Sequence, residues 1–375
     1  MSLVAAGTFI FVFILFHMSL YYIPFSQVKN QKTIVVDSLH PRSFVLAHWR
    51  GAPTPSAVRG DTSADIVFNA LHQNLPELAY QAVSANHFDV DGFVGVWALL
   101  NPELALLHEN TLREMARIGD FRELNLSKAE ADLALKMVCW INAWEKGMFY
   151  PPFGTEEMEE NEIVASVPKF EYFLREFGQV LKHPETEKEV WEPEYQQVRQ
   201  DYAVLHSAET NVKTYPEIGL IMLDTPEPTH YYALFSLTMG YDIVLTRYAG
   251  HRYELEYKYT TWIDLDSRPT LPRISLKPLK DLLNKLELSD YTWTAESVTD
   301  TGPILRLSAG KLSRTQRYAN PTERPVYASS IAAEVLEGIV VRYFREAYRG
   351  IMPKKYWSWE EIKSYGKPTS KQHPE

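Results

Sequence analysis

The feature that most restricts the fold of this chain is an alternation of short apolar runs with segments of helical periodicity in its first third. Residues 33–36 and 44–47 are apolar or β-branched runs that end at Asp37 and His48. Residues 93–100 are apolar on every side, as expected for a helix buried inside an α/β layer. Because strands that alternate with helices usually pair in parallel, the pattern predicts an α/β fold with a mainly parallel sheet and flanking helices.

Length and composition describe a folded globular protein. The chain has 375 residues, of which 45% are hydrophobic and 23% charged, and this length favours two domains or one elaborated domain. We predict a membrane anchor at residues 1–26, an α/β domain at 27–150, a helical connector at 151–210, a smaller C-terminal α+β domain at 211–310, and a terminal helix with a loose tail at 311–375.

The first 28 residues contain no Asp, Glu, Lys or Arg. The apolar stretch at residues 3–25 has the length of a membrane-spanning helix, which needs about 20 residues. Because Lys29 and Lys32 follow this stretch, the distribution of positive charge predicts a single-pass membrane protein with its folded part in the cytoplasm. If Met18 is instead the true start, most of the apolar stretch is not translated, and we predict a cytoplasmic protein.

Charge and cysteine content exclude several functional classes. The chain has 38 Lys and Arg against 48 Asp and Glu, for a net charge of −10. This balance argues against broad nucleic-acid binding, because neutralising phosphates takes clustered cations. The single cysteine, Cys139, excludes an intrachain disulfide framework and a four-cysteine zinc site, and it indicates a reducing compartment.

The segment His-Phe-Asp-Val-Asp-Gly at residues 87–92 places three possible metal ligands at alternate positions. In an extended segment alternate side chains point the same way, so His87, Asp89 and Asp91 can converge on one cation. One nitrogen and mainly oxygen ligands suit Mn or Mg and permit a two-metal site for phosphoryl chemistry. The alternative interpretation is that the carboxylates cap the following helix and that His87 forms hydrogen bonds in the core.

The pattern H-x-D-x-D-G followed by an apolar helix resembles the first motif of the DHH superfamily of phosphoesterases. The resemblance implies an α/β catalytic domain with a smaller C-terminal substrate-holding domain, cleavage of phosphate esters with Mn, and His87, Asp89 and Asp91 as metal ligands. No Asp-His-His tripeptide occurs in the chain. We therefore predict that Asp120 and Asp224, each in a position that resembles a strand end or turn, complete the ligand set.

Further residues are predicted to bind substrate. His48 follows a predicted strand and would face the same cleft as His87 if the two strands are neighbours, and Asp37 ends a strand in the same way. Arg side chains can bind phosphate in bidentate fashion, which is the functional interpretation of the three Arg residues named below. The simpler interpretation is that each of them is a surface charge. The predicted substrate-binding residues are His48, His230, Arg252, Arg268 and Arg273.

These observations predict a metal-dependent, phosphoesterase-like hydrolase that acts on a small phosphorylated molecule or a nucleotide, with Mn or Mg as cofactor. A second hypothesis is a catalytically inactive, membrane-anchored binding or scaffold protein of the same fold, because the tripeptide is missing. A third is a phosphatase of the haloacid dehalogenase type, whose D-x-D motif Asp89 and Asp91 match, although Phe93 replaces the expected Thr or Val. The enzyme hypothesis needs at least four ligand side chains from separate segments close to Asp89.

Overall fold

The computed structural model describes residues 20–29, 32–149, 161–312, 317 and 319–365. Its fold is mixed α/β with two sheets, one of four strands and one of six. The first sheet is parallel throughout in the order β1-β4-β2-β3. Its strands are β1 Tyr21–Tyr22, β2 Thr33–Val36, β3 Phe44–Leu46 and β4 Ala82–Ser84.

Seven helices surround the first sheet and share its core. They are α1 Ser63–Gln73, α2 Val90–Leu100, α3 Pro102–Leu107, α4 Glu109–Phe121, α5 Ala131–Trp144, α6 Glu162–Lys182 and α7 Lys188–Leu205. Helix α2 is buried from Val90 to Leu99 because it is apolar on all sides and neighbours cover it. Aromatic rings fill the space between α2 and α6, where the ring centroids of Phe93 and Trp97 lie 5.1 and 5.0 Å from that of Phe177.

The second sheet is mixed and has the order β5-β6-β7-β8-β10-β9, in which only β6 and β7 are parallel. Its strands are β5 Asn211–Tyr215, β6 Leu220–Thr225, β7 Ile243–Tyr248, β8 Arg252–Tyr257, β9 Thr292–Ala295 and β10 Ile304–Ser308. We call residues 20–205 the first half of the molecule and residues 211–365 the second half. The described helices of the second half are α8 Tyr231–Leu234, α9 Lys277–Leu286, α10 Ala333–Ala347 and α11 Trp359–Tyr365. One face packs on α9 and α10, and the other packs partly on α8.

The predicted fold class, a mainly parallel sheet with a smaller C-terminal α+β domain and a membrane-spanning helix, is therefore wrong. The larger sheet is the second one, and most of its pairs are antiparallel. Apolar runs identify strands but do not reveal their direction, which depends on the connections. Strands β7 and β8 are joined by a tight turn with positive φ at Gly250 and His251, and such a turn reverses the chain.

The predicted membrane anchor is also wrong. Tyr21–Tyr22 pairs with β4, and the Ile23 amide donates to the Val83 carbonyl at 3.0 Å. The apolar residues at the end of the predicted span thus belong to a sheet edge. Among the described residues no helix is long and apolar enough to cross a bilayer, so the single-pass placement fails. Residues 1–19 of the predicted anchor lie outside the described residues.

The two halves meet along the segment that follows β8. The buried Arg50 guanidinium donates to the carbonyl oxygens of Thr261 and Ile263 at 2.7 and 3.0 Å. The Asp264 amide donates to the His48 carbonyl at 2.8 Å. The carboxyl edge of the parallel sheet, where α/β proteins usually place their sites, is thereby held against the second half.

Candidate metal centre

Three polar side chains follow three neighbouring strands of the parallel sheet. Asp37 directly follows β2, His48 lies two residues beyond β3, and His87 lies three residues beyond β4. Since β2 lies between β3 and β4, their parallel direction brings the three side chains to one edge. Asp37 has a positive φ of 48°, and its amide donates to the Leu46 carbonyl at 3.1 Å, which turns the chain at the strand end.

The two carboxylates of the 87–92 motif cap two different helices. Asp89 is the N-cap of α2, where its Oδ1 accepts from the Gly92 amide at 2.7 Å and leaves Oδ2 directed at His87. Asp91 lies in the first turn of α2, but its two oxygens accept from the Ser63 and Ala64 amides of α1 at 2.7 and 2.8 Å. Asp89 and Asp91 can therefore each cap a helix and still direct a carboxylate oxygen at the histidines of this sheet edge.

The His48 ring is held so that its Nε2 faces three carboxylates. Its Nδ1 lies 2.6 Å from the Asp61 carbonyl oxygen, which can only accept, so Nδ1 carries the proton. Nε2 then lies 3.3 Å from Asp37 Oδ1, 3.7 Å from Asp91 Oδ2 and 3.6 Å from Asp120 Oδ2. Asp120 comes from α4. A histidine that donates from one ring nitrogen to a carbonyl and turns the other to carboxylates is arranged as metal-binding histidines are.

The His87 ring repeats this arrangement with other partners. Its Nδ1 lies 2.7 Å from Asn86 Oδ1, which also accepts from the Ser38 hydroxyl at 2.8 Å. Its Nε2 lies 3.2 Å from Asp89 Oδ2 and 3.4 Å from Asp37 Oδ2. Asn86 and Ser38 thus orient the ring from behind.

Asp37 links two sets of ligand atoms. We define the inner position by Asp37, His48, Asp91 and Asp120, and the outer position by Asp37, His87 and Asp89. Within each three-residue group of Asp37, His48 and Asp91 or of Asp37, His87 and Asp89, the ligand atoms lie within 4.8 Å of one another. The inner side chains are 0 to 6% exposed, whereas His87 and Asp89 are 18% and 33% exposed. Of the two positions, the outer one is therefore the one that solvent can reach.

The ionisable groups of the cluster perturb one another strongly. Burial and the Asp37 charge raise the pKa of Asp91 to about 7, and burial raises the pKa of Asp120 well above its usual value. Burial opposes the charged imidazole, but the neighbouring carboxylates raise the pKa of His87 to about 9 and that of His48 well above its usual value. The cluster thus needs positive charge, from protons or from cations.

Three buried atoms of the cluster have no hydrogen-bond partner among the described residues, namely Asp37 Oδ2, His48 Nε2 and Asp120 Oδ2. Buried polar atoms are nearly always satisfied in folded proteins. His48 Nε2 and Asp120 Oδ2 lie 3.6 Å apart at the inner position, and Asp37 Oδ2 lies 3.4 Å from His87 Nε2 at the outer position. An unsatisfied nitrogen among unsatisfied carboxylate oxygens is what a cation site needs, and four carboxylates with two neutral imidazoles are balanced in charge by two divalent cations.

Aromatic side chains from both halves enclose the cluster. The His48 ring stacks on Phe121 and lies beside Tyr259, with a centroid distance of 6.1 Å in each case. Trp49 lies 5.6 Å from His87 and 5.3 Å from Trp262 of the second half. Its indole nitrogen donates to Asp37 Oδ1 at 2.9 Å, which fixes the shared carboxylate.

Comparison with known proteins identifies the family of the chain. A model for a family of unknown function, DUF6687, matches residues 18–355. The chain belongs to DUF6687. Searches of the curated proteins and of the solved structures find no match. This family description names no activity, so the resemblance of the 87–92 motif to DHH phosphoesterases stays a prediction.

In this DUF6687 member, Asp224 and His230 of the predicted site lie outside the cluster. Asp224 is on β6 of the second sheet, where it forms an ion pair with Arg247, with an Oδ2 to Nη2 distance of 2.6 Å. His230 is the N-cap of α8 and its Nε2 lies 3.3 Å from Glu194 Oε1. The sequence places both after or near a strand, but that strand belongs to the second sheet, which supplies none of the side chains of the inner and outer positions.

The three predicted phosphate-binding Arg residues have protein partners instead. Arg252 contacts Glu227 at 2.9 Å, and Arg268 contacts Asp242 at 2.7 Å. Arg273 is fully buried and donates to carbonyl oxygens and to the Thr261 hydroxyl. The structure therefore does not bring these three side chains to the cluster, while it brings His48 there as a ligand-grade side chain.

The DUF6687 site also contains residues that the predicted ligand set omitted. Asp37 is the central one, and its sequence signal is weak because a single acid after a strand is common. Ser38 and Asn86 have no signal of their own. Their roles depend on the neighbouring positions of β2 and β4 in the sheet, which local sequence does not reveal.

Proposed function

We propose that the protein is a metal-dependent hydrolase of phosphate esters that holds two divalent cations, Mn or Mg, at the inner and outer positions. The observation that carries the proposal is the arrangement around Asp37. Two histidines, each with its Nδ1 held by an acceptor, direct Nε2 at opposite oxygens of this one carboxylate. The resemblance to DHH phosphoesterases supports the same chemistry.

The donor atoms fit hard divalent cations. Carboxylate oxygens with one imidazole nitrogen at each position are ligands that suit Mn and Mg. In an octahedral site with ligand distances near 2.1 Å, adjacent ligand atoms are about 3 Å apart. The distances of 3.2 to 3.7 Å between the histidine Nε2 atoms and their carboxylate neighbours require only a small contraction to reach this spacing.

Different side chains contribute to substrate access and to the exclusion of water. His87 and Asp89 are the exposed ligands, so substrate approaches the outer position. Trp49 and Trp262 border this opening, where they exclude water and offer flat apolar surfaces for a base or sugar of a nucleotide. Two divalent cations held by the cluster would supply Lewis-acid activation of the phosphate and of the attacking water.

The haloacid dehalogenase alternative fits less well. It needs the first Asp of D-x-D as a nucleophile and places both carboxylates of the motif at a site that substrate enters. Both oxygens of Asp91 accept hydrogen bonds from α1 amides, and the side chain is fully buried. Because it is buried, the Asp91 carboxylate cannot contact substrate. An inactive metal-binding protein remains the competing hypothesis, since the same ligands would bind cations without turnover.

Metal analysis and activity on the full chain test the proposal. After loading with Mn, we expect two equivalents per chain by mass spectrometry of the metal content, and hydrolysis of phosphomonoesters, phosphodiesters or nucleotides that stops with a chelator. Asp89→Asn, at the exposed ligand, should abolish hydrolysis. A protein that binds no Mn would refute the metal centre. Two bound equivalents without hydrolysis of any phosphate ester would favour the inactive binding protein.

A further inference from the structure

The end of α4 that carries Asp120 is tied to the second sheet by two ion pairs. In one pair the α4 end supplies the cation, and in the other it supplies the anion. Arg122 Nη1 lies 3.2 Å from Glu256 Oε1 of β8. The next residue, Glu123, accepts from the Lys258 ammonium just beyond β8, and both of these side chains are buried. Lys258 also donates to the Thr238 carbonyl at 2.9 Å. Four charged residues thus join two short segments, 120–123 and 256–259.

The local backbone of α4 is adapted to these pairs. Helix α4 ends at Phe121, and Arg122 follows it in the left-handed region with φ of 59°. Residues other than glycine rarely adopt this conformation. In this conformation the Arg122 guanidinium contacts Glu256 and also lies 4.7 Å from the centre of the Tyr231 ring. The conformation places residues 122 and 123 on the side of the second sheet.

Asp120 differs from the other inner ligands in how it is held. Asp37 accepts from Ser63 and Trp49, and Asp91 accepts from two amides, all within the first half. Asp120 Oδ2 has no hydrogen-bond partner among the described residues. Its position is therefore set by the backbone at the end of α4, and that backbone is tied to β8.

We propose that Glu123 and Lys258 are positioning residues that place Asp120 at the inner position, so that the second sheet completes the metal centre. This inference rests on the proposed function. Binding at the outer position uses Asp37, His87 and Asp89 and does not depend on this link. Loss of the Glu123–Lys258 pair therefore weakens the inner cation selectively and leaves the outer one in place.

Mn titration of Lys258→Met in the full chain tests the inference. We expect at least a tenfold weaker inner equivalent, as is typical when a group that orients a ligand is removed. Electron paramagnetic resonance should change from the spectrum of a coupled Mn pair to that of an isolated Mn ion. Lys258→Arg should restore part of the coupled signal. Arg306→Met, which removes a buried cation of the same sheet near Glu254 and Glu296, is the matched control and should keep both equivalents.

Because Lys258→Met leaves Glu123 buried without a partner, the double variant Glu123→Met with Lys258→Met serves as a second test that removes both charges. Selective loss of one Mn equivalent in the folded double variant supports the inference. Two equivalents of unchanged affinity in the double variant overturn it, even if Lys258→Met does not fold. A wild-type protein without bound Mn would instead overturn the proposed function itself, so the two failures are distinguishable.

Discussion

Gly119 of α4 packs directly against Val90 of α2, and a Cβ atom added at Gly119 would lie 2.9 Å from both Cγ atoms of Val90. The absence of a side chain lets the two helices approach. Val90 lies between Asp89 and Asp91, and Gly119 precedes Asp120. This contact therefore brings the carboxylate of α4 to those of α2.

Gly119→Ala should lower the free energy of unfolding by about 1–3 kcal/mol, because overpacking costs more than the helix propensity that alanine adds. The matched control is Gly338→Ala in α10, where an added Cβ meets no atom within 4 Å. This control should be neutral or gain up to about 1 kcal/mol. Urea unfolding measures both values, and equal stabilities for the two variants would contradict the packing argument.

Asp37→Asn should remove both cations, since Asp37 is shared by the inner and outer positions. The amide keeps the shape of the side chain but loses the charge that both positions use. Asp224→Asn is the control, because Asp224 is paired with Arg247 in the second sheet. Metal content after dialysis decides the outcome. If Asp224→Asn loses Mn and Asp37→Asn keeps it, the arrangement around Asp37 is not the metal centre.

Asn86→Ala should weaken the outer cation by about 10–100-fold and leave the inner one unchanged, because the variant removes the acceptor that orients His87. Asn69→Ala removes a comparable amide, one that donates to the carbonyl oxygens of Val58 and Arg59 away from the cluster. Mn titration with the two variants separates a specific effect from a general loss of stability. Equal affinities in both would argue against the role of Asn86.

Glu287 should make the stability of the second half depend on acid pH. Burial alone would raise the pKa of Glu287, but hydrogen bonds from Ser329 and Ser330 lower it from 4.5 to about 2. Since the folded pKa is the lower one, this stabilisation is present above about pH 4.5 and is lost as the pH falls toward 2. Unfolding free energy should therefore fall more steeply between pH 5 and about pH 3 in wild type than in Glu287→Gln. Parallel curves would contradict the assignment.

The local parts of this fold were accessible from the sequence. The run at residues 33–36 coincides with β2, and the apolar segment at 93–100 lies within α2. The 87–92 motif is recognisable because three residues with metal-ligand side chains stand close together in the chain. Such signals depend on a few neighbouring residues, so a single sequence is enough to detect them.

The detailed geometry of the motif was not accessible. Alternate side chains point the same way only in extended backbone, whereas α2 begins at Val90. The helical turn therefore sends Asp91 to the inner position while Asp89 stays at the outer one. One short segment thus contributes to two positions, and the expectation that its three ligands meet at a single point does not hold.

By itself the sequence determined where several strands and helices form and which segment is rich in metal-ligand side chains, because secondary structure and spacing are short-range properties. Only the tertiary structure decided that Asp37 is shared, that His48 and Asp120 complete the inner position, and that Asp224 belongs elsewhere. Those facts depend on the order of strands in the sheet and on helix packing. Both are set by contacts between residues far apart in the chain, which no local pattern records.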